Sequence, residues 1–259
     1  MTKILLTGAA GIVGKALRPI LAEKYPSIVL TDLVEITDLS SNETFVQGDI
    51  TDLSFVKKLV QGVSGIVHLA AMVGHYSFDE VLGPNFVGTY NIYEASRMTD
   101  IPPRVIFASS HHGVGFFKRG EQAIDHRTAP RPDSFYGLSK AYGEGLASLY
   151  ADKYSVKTLS IRIGYVGENV PDERRMHTWI SASDLYQLIE IGFTVPDLHH
   201  EIVYGVSQVP EPFFDNSNAC RLGYKPLDLS TNYLLSPDIE KVQPGPDSFI
   251  GGSFATSEV

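Results

Sequence analysis

The chain has 259 residues, 43% hydrophobic and 20% charged, with 30 acidic against 21 basic side chains and a formal net charge of -9. That length holds one full α/β core but not two large domains, the composition is that of a soluble globular protein, and the acidity argues against a nucleic-acid binder. The lone cysteine, Cys220, cannot close an internal disulfide, so a reducing, cytoplasmic setting is expected, and no apolar run is long enough to span a bilayer.

In chain order, residues 3–7 (KILLT) form an apolar run that breaks at Thr7-Gly8 and reads as a buried strand, not a leader. Gly8, Gly11 and Gly14 follow, and then helical periodicity to about Lys24, with Pro19 awkward inside it. Residues 28–31 are a second strand ending at Asp32, and 44–47 a third ending at Gly48-Asp49. Asp52 caps a helix to about Val60, 65–70 is a fourth strand, and 78–97 a helix that Gly83-Pro84 should bend. Residues 104–109 are a fifth strand, followed by a long loop to Pro132 of the kind that carries function. A helix from Ser134 to Lys153 and a sixth strand to Ile163 complete the alternation.

Strands alternating with helices imply right-handed crossovers and an α/β, Rossmann-type doubly wound parallel sheet with strand order 3-2-1-4-5-6. Residues 1–164 are therefore expected to be the dinucleotide-binding domain. Residues 165–235 then form a small substrate-binding region, in which Ser183 caps a helix and 201–206 adds a strand. Residues 236–259 make an extended C-terminal tail, rich in Pro, Gly and Ser, either disordered or laid across a neighbour.

Gly8, Gly11 and Gly14 between a strand and a helix let backbone amides approach a pyrophosphate at the helix amino end. Asp32, at the next strand end, is placed to accept hydrogen bonds from an adenosine ribose. A 2′-phosphate about 4 Å away would meet repulsion of roughly 4 kcal/mol per charge, so NAD is expected over NADP. Asp49 is a candidate for the adenine amino group or, equally, a turn residue.

Tyr136 and Lys140 lie one helical turn apart on one face. A free tyrosine has a pKa of about 10, so a phenolate at neutral pH costs about 4 kcal/mol. A cation roughly 4.5 Å away supplies about 3–4 kcal/mol at an effective dielectric of about 20, which would make Tyr136 a general base. Ser110 closes the fifth strand and can hydrogen-bond the oxygen that Tyr136 deprotonates, and His111 or His112 beside it is a candidate substrate contact. Arg174 or Arg175 could clamp an anion bidentately. The remaining histidines lack ligand spacing, so no metal is expected, and His68 reads as structural.

These motifs resemble the extended short-chain dehydrogenase/reductase superfamily, in TGAAGIVG (7–14), HLAA (68–71), the serines after strand five, and YGLSK (136–140). Within it the chain is most similar to the uronate dehydrogenase family, through FASSHH (107–112), RPDSFYGLSK (131–140), IRIG (161–164), RRMHTW (174–179), LGYKP near Leu222 and GGSF (251–254). Archaeal sugar-phosphate dehydrogenases share several of these. The resemblance implies NAD-dependent oxidation of a small-molecule sugar acid at C1 to an aldonolactone, by a homo-oligomer that meets neither nucleic acid nor membrane. It implies Tyr136 as base, with Lys140 and Ser110 assisting and Lys140 also on the nicotinamide ribose. The cofactor would touch Gly8, Gly11, Ile12, Val13, Gly14, Asp32, Leu33, Asp49, Ile50, Leu69, Ala70, Ala71, Tyr136, Lys140 and Ile163. The sugar would touch Val73, Ser110, His111, His112, Tyr136, Tyr165 and Arg174. Three positions depart from the family pattern: its Asn is His111 here, and two of its serines are Val73 and Tyr165. Such changes alter which substrate hydroxyls are satisfied. A nucleotide-sugar epimerase or dehydratase and a non-catalytic NAD-sensing scaffold are the competing expectations. The short segment after Ile163 argues against the first, and intact Tyr136, Lys140 and Ser110 argue against the second.

Overall fold

The computed structural model describes residues 2–120, 123–242, 245 and 248–258. Strand and helix alternate as β1 (Ile4–Thr7), α1 (Ile12–Lys24), β2 (Ile28–Thr31), β3 (Glu43–Phe45), α2 (Leu53–Leu59) and β4 (Gly65–His68). A long helical run follows, made of α3 (Phe78–Val81), a widened π-type turn (Leu82–Val87) and α4 (Gly88–Arg97), and then β5 (Arg104–Ser110). After a tight turn (His111–Val114) come α5 (Phe135–Tyr154) and β6 (Thr158–Ile163). Next are β7 (Tyr165–Val166), α6 (Glu173–Met176), β8 (Trp179–Ile180), α7 (Ala182–Thr194), β9 (His200–Gly205) and α8 (Ser217–Arg221).

The main sheet has seven strands in the order β3-β2-β1-β4-β5-β6-β9, paired in parallel throughout. The expected order holds, and the 201–206 run becomes a seventh strand beside β6, with His200 opposite Thr158 and Gly205 opposite Ile163. Every residue of β1, β2, β4 and β6 is buried, as a parallel strand covered on both faces requires. Alternate side chains of β1 feed opposite layers. Ile4 and Leu6 pack with Leu17 and Leu21 of α1 and Leu188 of α7, whereas Leu5 packs with Val56 of α2, Ile92 of α4 and Ala147 of α5. The strand order reverses between β1 and β4, so a crevice opens at their carboxyl ends.

Local chemistry explains the departures from the sequence expectations. Pro19 sits on the exposed face of α1, where water can satisfy the carbonyl it leaves unbonded, and the helix runs on. At Gly83-Pro84 the helix widens into a π-type turn. That turn brings Asn85 inward, where it donates to the Met72 carbonyl and the Ser139 hydroxyl, 3.0 Å each. Ser181, not Ser183, caps α7, its hydroxyl accepting from Asp184 N at 3.1 Å. Ser183 is already inside the helix and donates to Asp228. The described part of the tail packs on its own chain. Its backbone bonds the segment after β5, with Ile250 N on Phe117 O and Gly251 N on Gly115 O, both at 3.0 Å. Ile250 is buried with Val114, Ile124 and Phe214, an apolar pocket that holds the strand down.

A charged cluster ties α5 to the sheet. Arg162 of β6 donates twice to Glu144 of α5, 2.9 Å each, and once to the Tyr204 hydroxyl at 2.9 Å. The Ser109 hydroxyl donates to the same carboxylate at 2.6 Å. Removing one member of a buried pair strands the other in low dielectric. Arg162→Met is therefore expected to lower the unfolding free energy by about 3–5 kcal/mol in urea titration, and Arg162→Met/Glu144→Met to recover most of that loss.

Candidate active site

At the carboxyl edge of the sheet lies a cleft of about 710 Å³, the size of a small-ligand site. Toward β2 it is lined by Gly8, Gly11, Ile12, Val13, Gly14, Asp32, Leu33, Asp49 and Ile50. Leu69, Ala70, Ala71 and Val73, following β4, line its middle. Toward β6 come Ser110, His111, His112, Tyr136, Lys140, Ile163, Tyr165, Arg174 and Arg175.

The β1–α1 loop can sit only where glycines allow it. Gly8 has φ +69, and a Cβ there would lie 2.7 Å from Ala70 N. A Cβ on Gly14 would lie 2.5 Å from Gly8 O, so the first turn of α1 presses directly on the loop. The Asp32 carboxylate braces this turn, accepting from Ala10 N at 2.9 Å and Val34 N at 3.1 Å. Asp49 faces the cleft while accepting from Thr51 N at 2.8 Å, so it is a turn residue in the structure. A bare backbone cradle, a helix amino end and an acid at the second strand end are the donor and acceptor set that suits a dinucleotide.

At the other end, Ser134 caps α5 by accepting from Gly137 N at 3.0 Å, and Tyr136 and Lys140 occupy its first two turns. Both are buried, 7% and 5% exposed. Lys140 Nζ lies 5.3 Å from the centre of the Tyr136 ring and the same distance from that of Phe107. Burial pushes the Lys140 ammonium down to about 7 and the Tyr136 phenol up to about 12; the hydrogen bond with Ser110 pulls the phenol down and the charge of Asp133 pushes it up. The expected depression of the Tyr136 pKa by Lys140 is thus absent in the cleft as it stands. Desolvation of both groups, which neighbouring charge alone does not capture, sets these directions.

The two histidines are pinned in the same way. The rings lie 4.3 Å apart, centre to centre, with their planes tilted by 33°. His111 Nδ1 donates to the Ile163 carbonyl at 3.0 Å, and its Nε2 has no partner among the described residues. Burial, helped by the neighbouring charge of His112 and Arg174, holds His111 well below the usual histidine range. His112 Nδ1 donates to Asp133 Oδ2 at 2.7 Å. That carboxylate is nested among glycines, since a Cβ on Gly115 or Gly251 would fall 1.8 or 1.7 Å from its Oδ2. Phe254 of the tail lies between His112 and His75, its ring 4.2 Å from each ring centre and tilted to both.

Arg175 is committed to Asp172 and lies over the Tyr165 ring at 5.3 Å. Arg174 donates to the Ile250 carbonyl at 3.3 Å and packs against Gly252, whose φ is +63. Val73 is 60% exposed at the mouth of the cleft. His68 is buried between Thr7 at 2.8 Å and Thr89 at 3.2 Å, pushed down to about 3 by burial, and is a neutral part of the scaffold. Sequence reasoning missed Asp133, Thr178 and Phe254. Asp133 stood in plain view before the helix cap, and only its contact with His112 reveals its part. Nothing local marks Phe254, which reaches the cleft from the far end of the chain.

Residues 4–183 match the model of the NAD dependent epimerase/dehydratase family. The chain belongs to that family. It is 39% identical to the uronate dehydrogenase of Pseudomonas putida over 98% of this chain and 96% of that one. Among solved structures it superposes on a glucuronic acid dehydrogenase from Chromohalobacter salexigens with TM-score 0.91 at 37% identity, covering 99% of this chain and 97% of that one. A mutant of the Agrobacterium tumefaciens uronate dehydrogenase complexed with NAD gives TM-score 0.90 at 35% identity, covering 100% and 98%.

Because the Asp133 charge raises Tyr136, Asp133→Asn should move the phenol's titration to lower pH. The ultraviolet difference titration of Asp133→Asn against Asp133→Asn/Tyr136→Phe, set beside the same comparison in the parent, reads this directly. An unmoved or raised midpoint would remove Asp133 from the phenol's surroundings.

Proposed function

We propose that this protein is an NAD-dependent dehydrogenase that oxidises a cyclic sugar acid of the uronate type at C1, giving the aldonolactone, with Tyr136 taking the hydroxyl proton. The observation that carries the reading is the convergence of Tyr136, Lys140 and Ser110, all buried, on one cleft with the glycine cradle. The full-length likeness to uronate dehydrogenases supports it.

When bound, NAD supplies the acceptor for the C1 hydride and a cationic ring. The amides of the Gly8–Gly14 turn and the amino end of α1 hold the pyrophosphate. Asp32 accepts from the adenosine ribose and repels a 2′-phosphate. Ser110 orients the C1 hydroxyl, and Tyr136 removes its proton. Lys140, buried beside the phenol, holds the nicotinamide ribose and favours phenolate whenever it carries its proton. Arg174, which lines the cleft on the Tyr136 side, takes the sugar carboxylate.

We also propose that the chain works as a homo-oligomer in the cytoplasm. Phe78, Leu82 and Tyr90 of the α3–α4 run and Leu138 and Leu149 of α5 are each 40–45% exposed, an apolar stripe that a second copy would cover. Cys220 is a free, exposed thiol, which suits a reducing compartment. A monomeric mass by light scattering would overturn the first of these.

An uronate added with NAD should yield net NADH in step with lactone, whereas an epimerase returns its hydride and yields none. Tyr136→Phe should abolish turnover and leave NAD affinity within about twofold in a fluorescence titration. Surviving turnover would show that Tyr136 is not the base.

A further inference from the structure

We propose that Gly252 of the C-terminal tail, together with the Ile250 carbonyl, is the positioning element for Arg174, and that this contact sets the preference of the site for a sugar carrying a carboxylate over its neutral counterpart. The inference rests on the sugar-acid reading given above and deepens it by naming what aims the guanidinium.

The helix that carries Arg174 has little of its own to hold it. α6 is a single turn, Glu173–Met176, and none of its residues is buried. Its support comes from the far end of the chain. Glu173 N donates to the Glu240 carbonyl at 2.9 Å, and Val242 N donates to the Glu173 carboxylate at 2.7 Å. The Arg174 side chain reaches a later stretch of the tail, where Nη1 donates to the Ile250 carbonyl at 3.3 Å. That stretch is itself fixed: Ile250 N donates to Phe117 O and Gly251 N to Gly115 O, both at 3.0 Å, and the Ile250 side chain is buried. Phe117 and Gly115 follow β5 closely, so the guanidinium takes its position from the strand end that carries Ser110. An arginine loses much rotamer freedom when it is fixed, and fixing it before the ligand arrives removes that penalty from binding.

Gly252 completes the seat by what it lacks. A Cβ there would lie 2.7 Å from Arg174 Nε, 2.8 Å from Cζ and 3.1 Å from Cδ, so the guanidinium occupies the space a side chain would take. Any residue but glycine pushes the fork aside. The preceding Gly251 is crowded by Asp133 instead, so the two glycines of the tail answer to different neighbours. Gly62, after α2, has a similar left-handed backbone, φ +68 against +63, with open space around it, and separates strain from crowding. A guanidinium grips a carboxylate through two parallel bonds in one plane, so shifting that plane breaks the match. A neutral sugar makes no use of the fork and does not feel the shift.

The test reads binding, so it does not depend on turnover. Full-length protein saturated with NAD is titrated by calorimetry with the C1-deoxy analogue of a hexuronate, which cannot react, and with its neutral counterpart, the C1-deoxy hexose. Gly252→Ala should weaken the acid about 10–100-fold, the range for hydrogen bonds to a charged group, and leave the neutral ligand within about twofold. Gly252→Asn, whose side chain tolerates the left-handed backbone but brings the same Cβ, should do likewise, and Gly62→Ala should change neither. Added to Arg174→Leu, Gly252→Ala should weaken the acid no further. Full affinity for the acid in Gly252→Ala or Gly252→Asn, equal losses for the two ligands, or additive losses in the double variant would overturn the positioning role and leave the dehydrogenase reading intact. An Arg174→Leu variant that binds the acid as the parent does would bring down the carboxylate assignment and the positioning role together.

Discussion

The reacting end of the cleft depends on how α5 is seated against β5 and β6. Tyr136, Lys140 and Glu144 follow one another at single helical turns, so they share the face turned to the sheet. Glu144 at the bottom of that stripe is held bidentately by Arg162 and again by Ser109. Ser109 is the neighbour of Ser110, so the same carboxylate fixes both the helix that carries the phenol and the strand end that carries its hydrogen-bond partner. Asn85 adds a second tie through Ser139, and the Ser134 cap a third. A buried ion pair of this kind adds little net stability over an apolar pair, but it ties α5 and β6 at one fixed point.

The two ends of the cleft are built from different materials. The end toward β2 is mostly backbone: glycines that let chain segments touch, a helix amino end and one carboxylate that braces the loop. The end toward β6 is side chain on side chain, with the rings of His75, Phe254, His112 and His111 in tilted contact one after another and Asp133 wedged among glycines of three segments. Phe254 of the tail lines that end of the cleft, and Gly252 packs against Arg174.

That difference explains what could be read from the residues alone. The parallel sheet and its order followed from period and alternation, because buried parallel strands are short apolar runs and the crossovers are right-handed. The glycine turn and Asp32 were legible because their spacing is local. Phe254 and Asp133 were not, since their roles exist only through contacts with residues distant in sequence. Ser181 and Ser183 both offer a hydroxyl just before an apolar run, and only backbone geometry separates cap from helix. The phenol's electrostatics also escaped the sequence, because burial, invisible there, drives Tyr136 upward and Lys140 downward.

The central claim is that a hydride leaves C1 of the sugar for a nicotinamide held in this cleft while Tyr136 removes the hydroxyl proton. The most direct measurement is turnover of an uronate carrying deuterium at C1. The account predicts that the label appears in the reduced cofactor in step with lactone formation, with a primary isotope effect on kcat/KM whenever the chemical step limits the rate. Deuterium lost to water, or retained on the sugar, would contradict it.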